Sequence, residues 1–184
     1  MYEPPLHSSQ IHALPQGVEF RIGWHPGLIG WIIQQHGLYY SHNWHLGAAF
    51  EALVAHELGA LMLRFDAQKD AIFSLYTPEG PIASLTLDGG HGEIDTKGAR
   101  IRFFLIAEPW QGQGFGRFLM REAMSVIEQQ GLDRAFLTTF KGLEAARSLY
   151  EKFQFKRVEE KYDTHWGVPL FEQEYHWRRP DSIY

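Results

Sequence analysis

Cysteine is absent from the 184-residue chain, and no apolar run approaches the length of a membrane span. Without cysteine there are no disulfides, no cysteine nucleophile and no thiolate metal site. A basic excess is also lacking, because 17 Lys and Arg stand against 22 Asp and Glu for a net charge of −5. This balance disfavours nucleic acid and membrane partners. No basic segment followed by an apolar stretch opens the sequence, so we expect a cytoplasmic protein.

Apolar residues, in contrast, are plentiful enough for a hydrophobic core, at 45% of the chain, and aromatic residues reach 15%. The length suits one domain. We expect an extended lead-in over 1–17, a single domain over 18–177 and a tail over 178–184.

Apolar periodicity predicts one strand, two helices, three strands, and then helix, strand, helix and two strands. This order indicates an α/β (α+β) fold with an antiparallel meander over 71–106 and a flexible tip at 89–92. The predicted strands are 18–24, 71–77, 81–88, 99–106, 134–139, 155–160 and 169–177, and the predicted helices are 28–40, 48–65, 115–130 and 143–153.

Three glycines, Gly112, Gly114 and Gly116, alternate at the start of the helix predicted over 115–130. A helix N-terminus offers unpaired N–H groups and partial positive charge, and glycine lets an anion approach them. A phosphate or pyrophosphate is the natural ligand. The pattern fits neither a Walker A loop, which needs Lys-Ser or Lys-Thr, nor a Rossmann fingerprint, whose third glycine would come one residue later. A turn that serves only close packing stays open as an alternative.

The stretch Gln111-Gly112-Gln113-Gly114-Phe115-Gly116 resembles the Gln/Arg-x-x-Gly-x-Gly/Ala signature of the GNAT superfamily, the GCN5-related N-acetyltransferases. Phe104-Leu105-Ile106 is similar to the fourth strand of that family. Residues 145–155 resemble its Ala-x-x-Leu-Tyr-x-x-x-Gly-Phe helix, with Gln154 in place of the glycine. We expect a local change at that helix end and an intact cofactor site.

The resemblance implies a GNAT fold: a mixed, mostly antiparallel, twisted sheet of about six or seven strands with about four helices, splayed between the fourth and fifth strands. It also implies acetyl-CoA as the cosubstrate. The main chain of Phe104, Leu105 and Ile106 would bind the pantetheine arm and polarise the acetyl carbonyl. The pyrophosphate would be held by Gln111, Gly112, Gln113, Gly114, Phe115, Gly116 and Arg117.

Tyr150 occupies the position of the family's general-acid tyrosine, where a phenol with a pKa near 10 would protonate the leaving thiolate. A packing role in the core is the other interpretation. The general base is less visible: Glu108 is the candidate, and Asp88, His91 and Glu93 are alternatives near the end of the third strand.

These residues predict transfer of acetyl from acetyl-CoA to a primary amine of a small molecule or peptide, by direct attack in a ternary complex. One alternative is a catalytically silent acyl-CoA-binding sensor or interaction module, and another is a protein that binds a different phosphate ligand. The net charge of −5 favours a cationic acceptor. A homodimer is compatible with the free sheet edges expected of such a domain.

The ten histidines do not predict a metal site, because His56-Glu57 lacks a second histidine at position 60, which is Ala60. Some histidines, with Trp24, Tyr39, Tyr40 and Trp44, would instead lie near the acceptor pocket, and simple packing stays open as an alternative role. A closer resemblance joins this chain to the acetyltransferase half of MarR–GNAT fusion proteins. Since only 17 residues precede Val18, we expect no DNA-binding role of such fusions. The pieces that carry this resemblance are 22–30, 50–55 and 166–173.

Overall fold

The computed structural model describes residues 14–89, 97–164 and 166–180. They form one mixed seven-stranded sheet in the order β1-β2-β3-β4-β5-β7-β6, with four helices. The strands are β1 (Glu19–Ile22), β2 (Ala71–Thr77), β3 (Gly80–Asp88), β4 (Ala99–Ile106), β5 (Arg134–Phe140), β6 (Lys156–Asp163) and β7 (Leu170–Arg178). The helices are α1 (Leu28–Trp44), α2 (Ala48–Leu63), α3 (Phe115–Gln129) and α4 (Glu144–Lys152), and a short 3-10 turn covers Glu108–Trp110.

The predicted element order is confirmed, and β2 and β4 have the predicted bounds. The first helix runs on to Trp44, past its predicted end at 40. The 3-10 turn was not predicted, because three residues are too few to show a period. The predicted lead-in 1–17, tip 89–92 and tail 178–184 fall partly outside the described residues.

The predicted splay is also confirmed. Strands β4 and β5 form the parallel pair of the sheet, and they pair only at Ala99–Ala135 and Arg100–Phe136. Beyond that point β4 bulges against β3, and Phe103 takes a positive φ of 47°. A bulky residue in this region costs about 1–2 kcal/mol, so the fold holds strain where the two strands part.

Helices cover both faces of the sheet. One face carries α3 and α4, and the start of α3 is fixed by the buried Phe115, Leu119 and Ala123. The other face carries α1 and α2, anchored by buried Leu28 and Leu58. The opening between β4 and β5 can therefore be reached from both helical layers.

Helix α4 ends at a residue that takes a glycine-type conformation. Gln154 has a φ of 66°, and the next residue, Phe155, donates its N–H to the Tyr150 carbonyl at 3.0 Å. This is the bond pattern of a Schellman C-cap, which usually places glycine where Gln154 stands. The local change expected here is thus confined to one exposed residue held at an unfavourable φ.

We expect Gln154→Gly to raise the free energy of unfolding by about 0.5–1 kcal/mol. Glycine removes the penalty of about 1–2 kcal/mol that other residues pay for a left-handed conformation. Part of this gain is lost, because glycine gives the unfolded chain more conformational entropy. Urea unfolding measures the difference. Glu151→Gly inside α4 is the matched control and should lower stability by roughly 1 kcal/mol. Equal losses in both variants would contradict the strain at Gln154.

Candidate active site

A groove of about 860 Å³, here called the donor groove, runs between the end of β4, the glycine turn and α4. All the predicted cofactor residues line it except Gln113, whose side chain instead donates to the Pro109 carbonyl at 3.1 Å. Those that line it are Phe104, Leu105, Ile106, Gln111, Gly112, Gly114, Phe115, Gly116 and Arg117.

The turn over 112–117 presents main-chain N–H groups that have no acceptor within the described part of the chain. The last backbone bond before it joins Gln111 N–H to the Glu108 carbonyl, and the next joins Phe118 N–H to the Gly114 carbonyl. The guanidinium of Arg117 lies beside the turn, because its Nη2 is 3.9 Å from where a Cβ on Gly114 would be. It adds a positive charge at that place. Free amides, a helix N-terminus and an arginine together suit a pyrophosphate.

Local contacts explain why the chain turns here. The Gln111 side chain donates to the Ile106 carbonyl at 3.0 Å and so ties the turn to the end of β4. Gly114 has a φ of 87°, which a glycine adopts without cost. A Cβ on Gly116 would stand 3.4 Å from Leu149 and 3.5 Å from Phe104, so this position has room for only the smallest side chains.

The edge of β4 that faces the splay has main-chain groups that can pair with a ligand, although the Ile106 carbonyl already accepts from the Gln111 side chain. Ala107 N–H donates to the Ile82 carbonyl of β3 at 2.9 Å. Because main-chain groups alternate in direction along a strand, those of Phe104 and Ile106 face away from β3, into the opening beside β5. An extended arm such as pantetheine can lie there like an added strand. The groove therefore suits the pantetheine arm of acetyl-CoA along β4 and its pyrophosphate at the glycine turn.

A second cavity of about 110 Å³, here called the acceptor cavity, lies on the α1/α2 side of the sheet. Residues from α1, α2, β4, β5 and β7 line it, including His36, Glu57, Arg100 and Glu172. The donor groove and the acceptor cavity share four lining residues, so they meet at the splay. The shared residues are Tyr40, Phe104, Thr139 and Tyr150.

Tyr150 lies at this junction and is only 6% exposed. Its burial, and then the nearby Tyr175, raise the pKa of the phenol well above its ordinary value of 10. The ordinary value near 10 does not include desolvation, which is the larger of the two causes here. Burial also raises the pKa of Tyr40, so both phenols keep their protons at neutral pH.

The candidate base, Glu108, lies away from the junction. It is exposed in the 3-10 turn, accepts a hydrogen bond from Asn43 Nδ2 at 3.2 Å, and lines a hollow of about 280 Å³ that adjoins the donor groove at Tyr39, Leu105 and Ile106. Of the alternatives, Asp88 is buried and receives Arg64 at 2.6 Å and Arg102 at 3.2 Å. His91 and Glu93 lie outside the described residues.

Four charged residues of the acceptor cavity were missed by sequence reasoning: Glu57, Arg100, Arg102 and Glu172. Glu57 and Glu172 are far in the chain from the two arginines of β4, so no motif joins the four residues. One signal was available in β4, where Arg100 and Arg102 alternate with apolar residues and so share one face of a strand that reads as buried. Charges placed in that way usually have partners or ligands.

The aromatic and histidine residues expected near the acceptor divide between the sites. Tyr40 and His36 line the acceptor cavity, while Tyr39 and Trp44 line the donor groove. Trp24 is 53% exposed and lines neither, so its placement was wrong. Burial lowers the pKa of His36 to about 4, and its Nδ1–H donates to the Ile32 carbonyl at 2.8 Å.

Two further searches cover the described residues alone. Over 14–89, 97–164 and 166–180, no group of three or more His, Cys, Asp or Glu side chains is placed to hold a metal ion. Within the same ranges, no helix combines the length and apolarity needed to cross a membrane.

Comparison with known proteins gives one family and many similar folds. The model of the Acetyltransferase (GNAT) family matches residues 38–155. A search of curated proteins finds no match. Solved structures match over nearly their whole length at low identity, which shows a shared fold.

Three of these structures illustrate the likeness. The yncA protein from Salmonella typhimurium, an acetyltransferase candidate with its cofactor acetyl-CoA, is 11% identical over 92% of this chain and 98% of its own, with a TM-score of 0.66. A GNAT-family acetyltransferase from Staphylococcus aureus is 11% identical over 88% and 100%, with a TM-score of 0.66. Spermidine N-acetyltransferase from Vibrio cholerae, with CoA and spermine, is 16% identical over 89% and 96%, with a TM-score of 0.62.

Proposed function

Because the chain belongs to the Acetyltransferase (GNAT) family, whose members use acetyl-CoA, we propose that it acetylates a primary amine of a small molecule or peptide by direct attack in a ternary complex. One observation carries this proposal. The donor groove and the acceptor cavity are adjacent and share Tyr40, Phe104, Thr139 and Tyr150 as lining residues. A donor and an acceptor can therefore be bound together and meet at one point, as direct transfer requires.

On the donor side, acetyl-CoA supplies the activated acetyl group. The N–H groups of 112–117 and the Arg117 guanidinium would hold its pyrophosphate. The Phe104 N–H, turned into the splay, is the group placed to donate to the acetyl carbonyl oxygen as that oxygen gains negative charge. The positive φ of Phe103 supports this role, since it directs the next N–H out of the ladder.

At the junction, we assign Tyr150 as the general acid that delivers its phenolic proton to the departing thiolate sulfur. Its raised pKa keeps that proton in place until the negative charge develops. The acceptor must lose a proton before attack, and Glu108 remains the candidate base. Asn43, which lines the donor groove, donates a hydrogen bond to this carboxylate, and a chain of water molecules would carry the amine's proton to it.

The silent sensor is the alternative function, and it shares the donor groove but needs no proton donor. Tyr150 at the meeting point of the two cavities favours the enzyme. The finer likeness to the acetyltransferase half of MarR–GNAT fusions stays a prediction and adds no activity to the proposal.

We expect acetyl-CoA and CoA, each at about 100 times its Kd, to raise the free energy of unfolding by about 2.7 kcal/mol. Thermal denaturation with acetyl-CoA, CoA, ATP and NAD in parallel measures this shift. ATP and NAD should leave the transition unchanged, because the groove along β4 suits a pantetheine arm. Stabilisation by ATP or NAD and none by CoA would favour a nucleotide-binding protein instead.

A further inference from the structure

The acceptor cavity holds an arginine that forms no direct ion pair with a carboxylate within the described part of the chain. We propose that this residue, Arg100, binds a carboxylate on the acceptor, so that the substrate is an amino acid or another small amine carrying a carboxylate near its amino group. The inference rests on the proposed function and specifies the substrate class of the same site.

The other charges of the acceptor cavity already have partners. Arg102 forms ion pairs with Glu57 and, at 3.2 Å, with Asp88. The Glu172 carboxylate receives Lys161 Nζ at 3.2 Å and Trp166 Nε1 at 3.0 Å. The charge of each of these side chains is therefore already paired with another side chain of the protein.

Arg100 differs from them. Its Nη2 donates to the Thr138 hydroxyl at 3.1 Å, but its Nε is enclosed and has no acceptor among the described residues. Burial, and then the like charge of Arg102, lower the pKa of Arg100, and the attraction of the Glu57, Asp88 and Glu172 carboxylates offsets only part of this lowering. A guanidinium nevertheless keeps its proton at neutral pH. A half-buried guanidinium with an unpaired Nε donor is well suited to bind a carboxylate.

The position of Arg100 assigns that carboxylate to the acceptor. Ala99 and Ile101 point into the core under α3, so Arg100 and Arg102 face the opposite layer, where α2 contributes Glu57. Arg100 lines the acceptor cavity and does not line the donor groove within the described residues. A carboxylate bound to it therefore approaches from the amine side.

Distance and volume limit the substrate to a small molecule. Thr138, which holds the guanidinium, is the neighbour in sequence of Thr139, a residue of the junction, and one strand residue spans about 3.3 Å. The carboxylate and the reacting amine must then lie within a few bonds of each other. The cavity of about 110 Å³ has room for roughly four water-sized groups at about 30 Å³ each, which limits the acceptor to a small molecule.

The test compares each amino acid with its amide. Glycine, alanine, serine and glutamate are offered beside their α-amides, with ethylamine and spermidine, and acetyl-CoA is the donor so that the only carboxylate tested belongs to the acceptor. We expect kcat/KM for at least one acid to exceed that of its amide by roughly 10- to 100-fold, the value of a charged hydrogen-bonded pair. Spermidine should be poor, because a second ammonium would meet Arg100.

Variants then assign the preference to Arg100. Arg100→Met should remove it by slowing the acid alone, and Arg100→Lys should restore part of it by returning the charge. Thr138→Val keeps the charge but frees the guanidinium, and should give an intermediate loss. Thr138→Val takes the place of Arg100→Met as the test if Arg100→Met fails to fold. Arg157→Met, on the exposed strand β6, is the control and should leave the preference for acids over amides unchanged.

The two proposals fail in different ways. Equal acetylation of acids and amides by the wild-type protein would overturn the role of Arg100 and leave acetyl transfer intact. If no amine is acetylated although acetyl-CoA binds, the proposed function fails. Calorimetry on CoA-saturated protein still tests Arg100 in that case, because the acids should bind more tightly than the amides only when Arg100 is present.

Discussion

Tyr150→Phe should lower kcat for acetyl transfer by roughly 10²- to 10⁴-fold, the usual contribution of a positioned general acid. The change removes one hydroxyl at the junction of the two cavities and leaves the ring that packs near Phe104 and Tyr175. The affinity for acetyl-CoA should stay within about three-fold, because the turn over 112–117 is untouched. Steady-state kinetics together with a CoA titration separates the two quantities.

Tyr175→Phe is the matched control. Tyr175 is buried 5.9 Å from Tyr150, and its hydroxyl donates to Gln173 at 3.3 Å, but it lines neither cavity. Its loss should cost about 1 kcal/mol of stability and leave kcat unchanged. An equal loss of kcat in both variants would mean that Tyr150 acts through packing alone.

The raised pKa of Tyr150 adds a dependence on pH. A group whose pKa lies above 10 is protonated throughout the neutral range and loses its proton only in strong alkali. We therefore expect no decline of kcat from this group below pH 10 in the wild-type protein. An alkaline decline near pH 8 that disappears in Tyr150→Phe would contradict the effect of burial.

Gly114→Ala should weaken acetyl-CoA binding by roughly 10- to 100-fold, equal to the loss of about one charge-assisted hydrogen bond. Gly114 stands at the start of α3 with a φ of 87°, and a Cβ there would project into the donor groove, where the N–H groups of 112–117 are free. Calorimetric titration with acetyl-CoA measures the change.

The same helix offers the control at its other end. Gly131 follows α3 with a φ of 72°, and no atom lies within 4 Å of a Cβ placed on it. Gly131→Ala should pay a similar backbone cost of about 1–2 kcal/mol in stability but bind acetyl-CoA normally. Should both variants lose affinity equally, strain would explain the effect and the turn would have no special part in binding.

The donor groove could be predicted from sequence because its parts are local. About 30 residues contain the strand 99–106, the turn with Gly112, Gly114 and Gly116, and the helix that follows. Each has a local signal in the sequence: the period of the strand, the spacing of the glycines and the start of the helix. Tyr150 came from the second motif of the resemblance. The structure lines one groove with all of these pieces.

The acceptor cavity could not be predicted in this way. Glu57, Arg100 and Glu172 come from a helix and two strands that meet only when the sheet is assembled, and none of them belongs to a motif. The positive φ of Phe103 and of Gln154 had no signal either, because neither residue type favours that conformation. Such positions are imposed by tertiary structure, and one of them, Phe103, lines the acceptor cavity.

The measurement that tests the central claim most directly is the stoichiometry of acetyl transfer. The protein is incubated with acetyl-CoA and a panel of small amines and amino acids, and free thiol and N-acetyl product are quantified together, the latter by mass spectrometry. One N-acetyl amine for each CoA released, lost in Tyr150→Phe, is the result that direct transfer at the junction predicts. Tight binding of acetyl-CoA with no acetylated amine would contradict it and leave a protein that only binds the cofactor.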